Sequence, residues 1–260
     1  MNALQSAFVL LILGLVGVQV IVLCSSQQAS IEGTVWRTST LPASSYDPRN
    51  CSRLVNGHCN DEDGGAWTYK NERGCTYVEE TPLINNAPKD HRVVLGLPDI
   101  FPDVQSVMDF GGGVGVYLTG FRNKKVSTLV TVEPHALGSC VFAGIVQDST
   151  DWINSPLSRL PSNKFDLVMT IEAAEHIPVR FHQHLIQALA QATSKWLVFS
   201  AAHPGQPGEG HVGPSMKTKE QWTKEIQEWT SLRVDELKAQ QLYKTSGALL
   251  KTNCVVFRKD

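Results

Sequence analysis

The chain has 260 residues, room for one α/β domain with accessory segments. An apolar content of 42% and a charged content of 18% are those of a globular protein and exclude global disorder. Lys+Arg 23 against Asp+Glu 25 gives a net charge of -2, with no basic tail or patch, which argues against a nucleic-acid partner.

The chain opens with an apolar run. From Ala7 to Cys24 only Gln19 and two glycines interrupt it, and its 18 residues reach the lower limit for spanning a bilayer. It reads either as a signal anchor, making a single-pass membrane protein of the secretory pathway, or as a signal peptide cleaved among Cys24, Ser25 and Ser26, leaving a secreted chain. A core helix fits poorly, because the run lacks a polar face. The first cation after it, Arg37, favours a cytoplasmic C-terminal side, whereas the sequon Asn50-Cys51-Ser52 favours the lumen. The compartment stays open. Residues 1–26 are thus the anchor or signal, and residues 27–90 read as a stem and irregular cap containing Cys51, Cys59 and Cys75. One disulfide among these three is expected in an oxidising compartment, and their spacing matches no zinc signature. Trp67 and Tyr69 are read as packing the cap onto the next domain, with a pocket-lining role as the alternative.

Residues 91–260 carry the chemistry. Ser106 to Phe110 reads as a buried strand, and Gly111-Gly112-Gly113-Val114-Gly115 then turns the chain toward a helix starting near Val114. Glycines there allow positive φ and let a ligand lie against the backbone. The spacing Asp109-x-Gly111-x-Gly113-x-Gly115 departs from the dinucleotide fingerprint G-x-G-x-x-G, which counts against a nicotinamide oxidoreductase. A short helix is expected over 116–121 and a second strand over 127–132. That strand ends in Glu133, 22 residues after Gly111, the usual place for an acid that accepts both ribose hydroxyls. A third strand is expected over 141–148, ending in Asp148, with Asp151 as an alternative acid. The fourth, 165–171, delivers Glu172-Ala173-Ala174-Glu175-His176. A helix from Val179 to about Thr193 should bury Phe181, Leu185, Ala188 and Leu189 and leave His182 and His184 solvated. The fifth strand is read at 196–200. It leads into a Gly/Pro-rich loop with Gly210-His211, and His203 is a weaker candidate in the same loop. Thr218 should cap a helix with Trp222, Ile226 and Trp229 on its core face, and strands over 231–237 and 249–257 close the domain.

The glycine motif and the Glu-x-x-Glu-His phrase resemble those of the class I S-adenosylmethionine-dependent methyltransferases, in the subgroup similar to small-molecule O-methyltransferases. The resemblance covers about residues 100–260. It implies a seven-stranded, Rossmann-like, doubly wound α/β sheet, mostly parallel with an antiparallel C-terminal hairpin. Asp109, Gly111, Gly113, Gly115, Glu133, Asp148 and Glu172 would bind S-adenosylmethionine, with Asp109 near the methionine amine and Asp148 on the adenine amino group. Members with this phrase use the acids and histidine to hold Mg²⁺ or Mn²⁺, which makes Glu172, Glu175, His176 and His211 the candidate metal ligands. Without a metal, His176 and His211 are the candidate catalytic bases, or Glu175 and His176 only support the loop. The expected acceptor is a hydroxyl oxygen, on a small molecule, lipid, glycan or protein. The rival reading is a non-catalytic, membrane-anchored binding module that keeps the fold.

Overall fold

The computed structural model of the chain describes the backbone of residues 54–55 and 58–59, and residues 91–260 apart from 123, 125, 134–140, 208–210 and 246–247. The apolar run 7–24, the Asn50 sequon, Cys75, Trp67 and Tyr69 lie outside the described residues. Among those described, no helix is long and apolar enough to cross a membrane.

Two short strands, β1 (Leu54–Val55) and β2 (His58–Cys59), precede the main sheet. The main sheet begins with β3 (Ser106–Phe110), β4 (Thr128–Val132) and β5 (Val146–Asp148), which build outward in parallel from a central β3. The chain then returns to the other side of β3 for β6 (Phe165–Ile171) and β7 (Thr193–Ser200), again parallel. The strand order therefore reverses between β3 and β6, and in such sheets a crevice opens at the carboxyl ends beside the reversal. β8 (His211–Val212) leaves the main sheet and pairs in parallel with β2, with His211 opposite His58 in register. β10 (Cys254–Arg258) runs antiparallel between β7 and β9 (Arg233–Val234), completing seven strands.

Alternation along the buried strands divides the core into two apolar layers. Val107, Leu129, Leu167, Val198 and Val256 face α1 (His91–Ile100) on one side. Met108, Val130, Val168, Phe199 and Phe257 face α2 (His182–Ala192) and α3 (Lys219–Trp229) on the other. α4 (Glu236–Thr245) and α5 (Ala248–Asn253) pack with α1 through Ala239, Leu242 and Leu250. Helices on both faces make the sheet doubly wound, as expected. Thr218 caps α3 through a reciprocal bond with Gln221, and Trp222 and Ile226 are buried beneath it, as the spacing predicts.

Several expectations need correction. The short helix expected over 116–121 is present as a 3₁₀ helix, Tyr117–Phe121, but it does not start near Val114. Gly115 sits at φ +88 and Gly120 lies hard against the Val94 carbonyl, so the segment has neither the conformation nor the room for a longer helix. Only 146–148 of the expected third strand pair, because Gly144 turns the chain at φ +83. The closing strands are shorter than predicted and do not form a hairpin: two helices, α4 and α5, separate them. Asp235 accepts from the Lys238 backbone N–H and starts α4, which ends β9 after two residues. His182 is fully buried rather than solvated, packed at a tilt against Trp222 with ring centroids 4.6 Å apart, and its Nε2 donates to the Ile177 carbonyl at 2.8 Å. His184 is half-buried, and its Nε2 bonds the Trp152 carbonyl.

Candidate active site

The glycine loop is tied to the sheet on both sides. Gly111 N–H donates to the Val132 carbonyl, and Thr131 Oγ1 donates to the Gly113 carbonyl. Gly111, Gly113 and Gly115 all take positive φ, which explains why the motif spends three glycines at these positions. A Cβ at Gly112 would strike the Asp109 carboxylate, whereas one at Gly113 would meet nothing within 4 Å. The loop is thus closed beneath and open above Gly113.

Asp109 ends just under this loop, 1% exposed, and its Oδ2 has no hydrogen-bond partner. Burial pushes its pKa up to about 8. At the end of β4, Glu133 is also buried, and its backbone N–H donates to the Asp148 carbonyl. Asp148 is held by its own neighbourhood: Oδ1 accepts from Thr150 N–H and Oδ2 from the Trp152 indole at 3.1 Å. Asp151 instead bonds its own turn, accepting from Ile153 N–H and Asn154. Asp109, Glu133, Asp148 and the glycines therefore share the carboxyl ends of β3, β4 and β5, as the sequence order predicts.

Directly after β6 comes Glu172, which takes φ 54, a strained conformation for a residue with a side chain. Its carboxylate is engaged on both oxygens: Ser200 Oγ donates to Oε1 and Gln206 Nε2 to Oε2, each at 2.6 Å. The 3₁₀ turn Ala174–His176 then buries Glu175 and His176. Glu175 Oε1 lies 4.0 Å from His176 Nε2 and 3.9 Å from Nε2 of His211, which β8 carries to the same point. The two imidazoles stand edge to face, with centroids 5.0 Å apart. All three side chains are buried, and one ligand atom from each lies within 4.8 Å of the others. The structure brings together Glu175, His176 and His211 of the expected metal set and leaves Glu172 outside it. His203 is exposed and bonds the Pro204 carbonyl, away from this cluster.

Glu175 has no side-chain hydrogen-bond partner among the described residues. Burial, reinforced by the nearby Glu172 charge, holds its pKa well above the ordinary carboxylate range. The backbone N–H groups of Glu175 and Ala202 offset this only in part. Such a carboxylate is stable either protonated or beside a cation.

Sequence reasoning did not find Ser200, Gln206 or Asn253. Asn253 Nδ2 donates to Gln206 Oε1 at 2.8 Å, from the end of α5. Gln206 sits in a loop whose Gly and Pro content signals only irregular backbone, and Asn253 lies in a segment that reads as strand.

Residues 53–247 match a family model described as a methyltransferase domain. The chain belongs to this methyltransferase family. No curated protein matches it in sequence. Among solved structures it is similar to a putative methyltransferase in complex with the Haloferax volcanii Trm112 activator: 10% identity, TM-score 0.49, covering 74% of this chain and 99% of that one. It is also similar to a SAM-dependent methyltransferase from Archaeoglobus fulgidus, at 14% identity and TM-score 0.46, covering 72% and 96%. A third is human N-acetylserotonin methyltransferase in complex with SAM, at 11% identity and TM-score 0.46, covering 65% of this chain and 50% of that one. The family assignment rests on the matched residues rather than on these likenesses.

The methyltransferase cofactor, S-adenosylmethionine, fits the crevice on two observations. Asp109 offers a buried carboxylate oxygen without a partner, and Gly113 leaves open space that a side chain would fill. Asp109, Gly111, Gly113, Glu133 and Asp148 are the residues that would hold it.

Proposed function

We propose that this methyltransferase acts on a hydroxyl oxygen and belongs to the Glu-x-x-Glu-His subgroup. The observation that carries this reading is the buried group Glu175, His176 and His211 beside the β6 end of the crevice. Oxygen methylation needs a proton removed from a weak acid, and two imidazoles and a carboxylate in one buried place are suited to that task. When bound, S-adenosylmethionine supplies an electrophilic sulfonium methyl. Asp109, Glu133 and Asp148 bind and orient the cofactor, the glycine loop admits it, and His211 takes the acceptor proton at Nε2 with His176 beside it. Orientation of the two reactants supplies most of the rate.

The same three donors offer one carboxylate and two imidazoles to a divalent ion, for which the resemblance implies Mg²⁺ or Mn²⁺, and the buried Glu175 carboxylate fits a cation. A divalent ion held by Glu175, His176 and His211 would lower the pKa of an acceptor hydroxyl. The apolar run 7–24 and the Asn50 sequon support a place in the secretory pathway, anchored or, after cleavage, secreted. Small molecules, lipids, glycans and proteins are all open as acceptors.

The test uses the full chain, S-adenosylmethionine carrying a tritiated methyl, and separated lipid, glycan, protein and small-molecule fractions. Label that survives alkaline hydrolysis in one fraction and is then released as methyl iodide by hydriodic acid under ether-cleaving conditions is an ether, as expected for a hydroxyl acceptor. Alkali-stable label that this treatment leaves in place is on nitrogen, sulfur or carbon and would overturn the hydroxyl reading. Label released as volatile methanol would identify a carboxyl acceptor and overturn the hydroxyl reading. Cofactor binding with no incorporation in any fraction would favour the non-catalytic binding module.

A further inference from the structure

We infer that Gln206 is a positioning residue that fixes the tautomer of His211, and that Glu172, Ser200 and Asn253 exist in this site to hold Gln206. The inference rests on the proposed role of His211. His211 Nδ1 lies 3.2 Å from the Gln206 backbone carbonyl. A carbonyl oxygen can only accept, so the proton sits on Nδ1, and in the neutral ring Nε2 keeps its lone pair. Nε2 is the atom turned toward Glu175, 3.9 Å from Oε1. The opposite tautomer would set the Nδ1 lone pair against the carbonyl lone pairs and point a hydrogen into the acceptor site.

For this to select a tautomer, the carbonyl must be fixed, and Gln206 is fixed at every polar atom of its side chain. Nε2 donates to Glu172 Oε2 at 2.6 Å, while Oε1 accepts from Asn253 Nδ2 at 2.8 Å and from the His203 backbone N–H at 3.4 Å. Its own N–H donates to the His203 carbonyl at 3.0 Å. Ser200 Oγ anchors the other oxygen of Glu172. Elements from β6, β7 and α5 thus converge on one glutamine in an otherwise irregular loop. This also accounts for the strained φ of Glu172, which is the conformation that delivers its carboxylate to Ser200 and Gln206 together. The orientation of the base is therefore set from three directions, one of them more than 40 residues downstream of His211 in sequence.

The test is long-range proton–nitrogen NMR of the full chain labelled at histidine nitrogens, with His211 assigned by its loss in His211→Asn. The pH is set where the ring is neutral. The wild-type signal is expected to show a protonated Nδ1 and a bare Nε2. Gln206→Met removes the anchoring bonds while keeping length, and should bring up the Nε2-protonated form. It should also lower methyl transfer about 10–100-fold, the usual cost of losing such an outer contact. If Gln206→Met does not fold by circular dichroism, Asn253→Ser gives the same readout. A wild-type ring protonated on Nε2, or a folded variant that keeps the wild-type tautomer, would overturn the inference. A parallel titration with S-adenosylmethionine separates the two claims: loss of cofactor binding in the wild type would fell the proposed function, while the tautomer signal still decides the role of Gln206.

Discussion

At Asp109 a carboxylate is buried without a partner for Oδ2, and its pKa is raised from 3.8 to about 8. Between those two values the folded chain keeps a proton that the unfolded chain has lost. Stability from this group is therefore full below about 4 and falls as pH rises towards about 8. Thermal melts of the ligand-free chain across this range should show that decline in the wild type and a flatter profile in Asp109→Asn. Equal slopes in the two proteins would contradict the assignment. The instability is consistent with a group placed for a ligand rather than for the fold. Among single residues, Asp109, Glu133 and Asp148 were legible because each closes an apolar strand run, and such acids fall at strand ends by the geometry of the sheet. Gln206 and Asn253 were not legible. Their meaning comes from contacts across 34 and 47 residues of sequence, which no local pattern carries.

α2 and α3 meet through His182 and Trp222, and this contact sets how the layer beneath the acceptor cluster responds to acid. Burial, and then the Lys217 charge, push the His182 pKa down to about 4 from 6.5. The unfolded chain thus takes up a proton first as pH falls, so stability from this group is full above 6.5 and is lost towards about 4. Urea unfolding should show that loss in the wild type and a smaller one in His182→Phe, which keeps a ring against Trp222. An unchanged acid profile would contradict it. The helical period placed His182 on a polar face because it counts side chains on one helix only. The structure begins α2 at His182, after a 3₁₀ turn at Val179–Phe181, and α3 covers that first turn. The same limit explains α4 and α5: Leu249 and Leu250 read on through Lys251, Thr252 and Asn253 into the apolar run Cys254 to Phe257, and only pairing with β7 decides that the strand starts at Cys254. The parallel strands were legible because burial on both faces leaves an unbroken apolar run.

Over the whole chain, the reversal of strand order between β3 and β6 creates the crevice, and the glycine loop and the acids of β3, β4 and β5 stand along it. After β6, and on β8, the chain brings Glu175, His176 and His211 into one buried group. The central claim is that this crevice binds S-adenosylmethionine. The direct measurement is calorimetric titration of the full chain with S-adenosylmethionine, alongside Glu133→Ala. The account predicts saturable one-site binding with a Kd on the order of micromolar, weakened at least about tenfold in a folded Glu133→Ala chain. A folded wild-type chain that gives no heat of binding, or a variant that binds as tightly as the wild type, would contradict it.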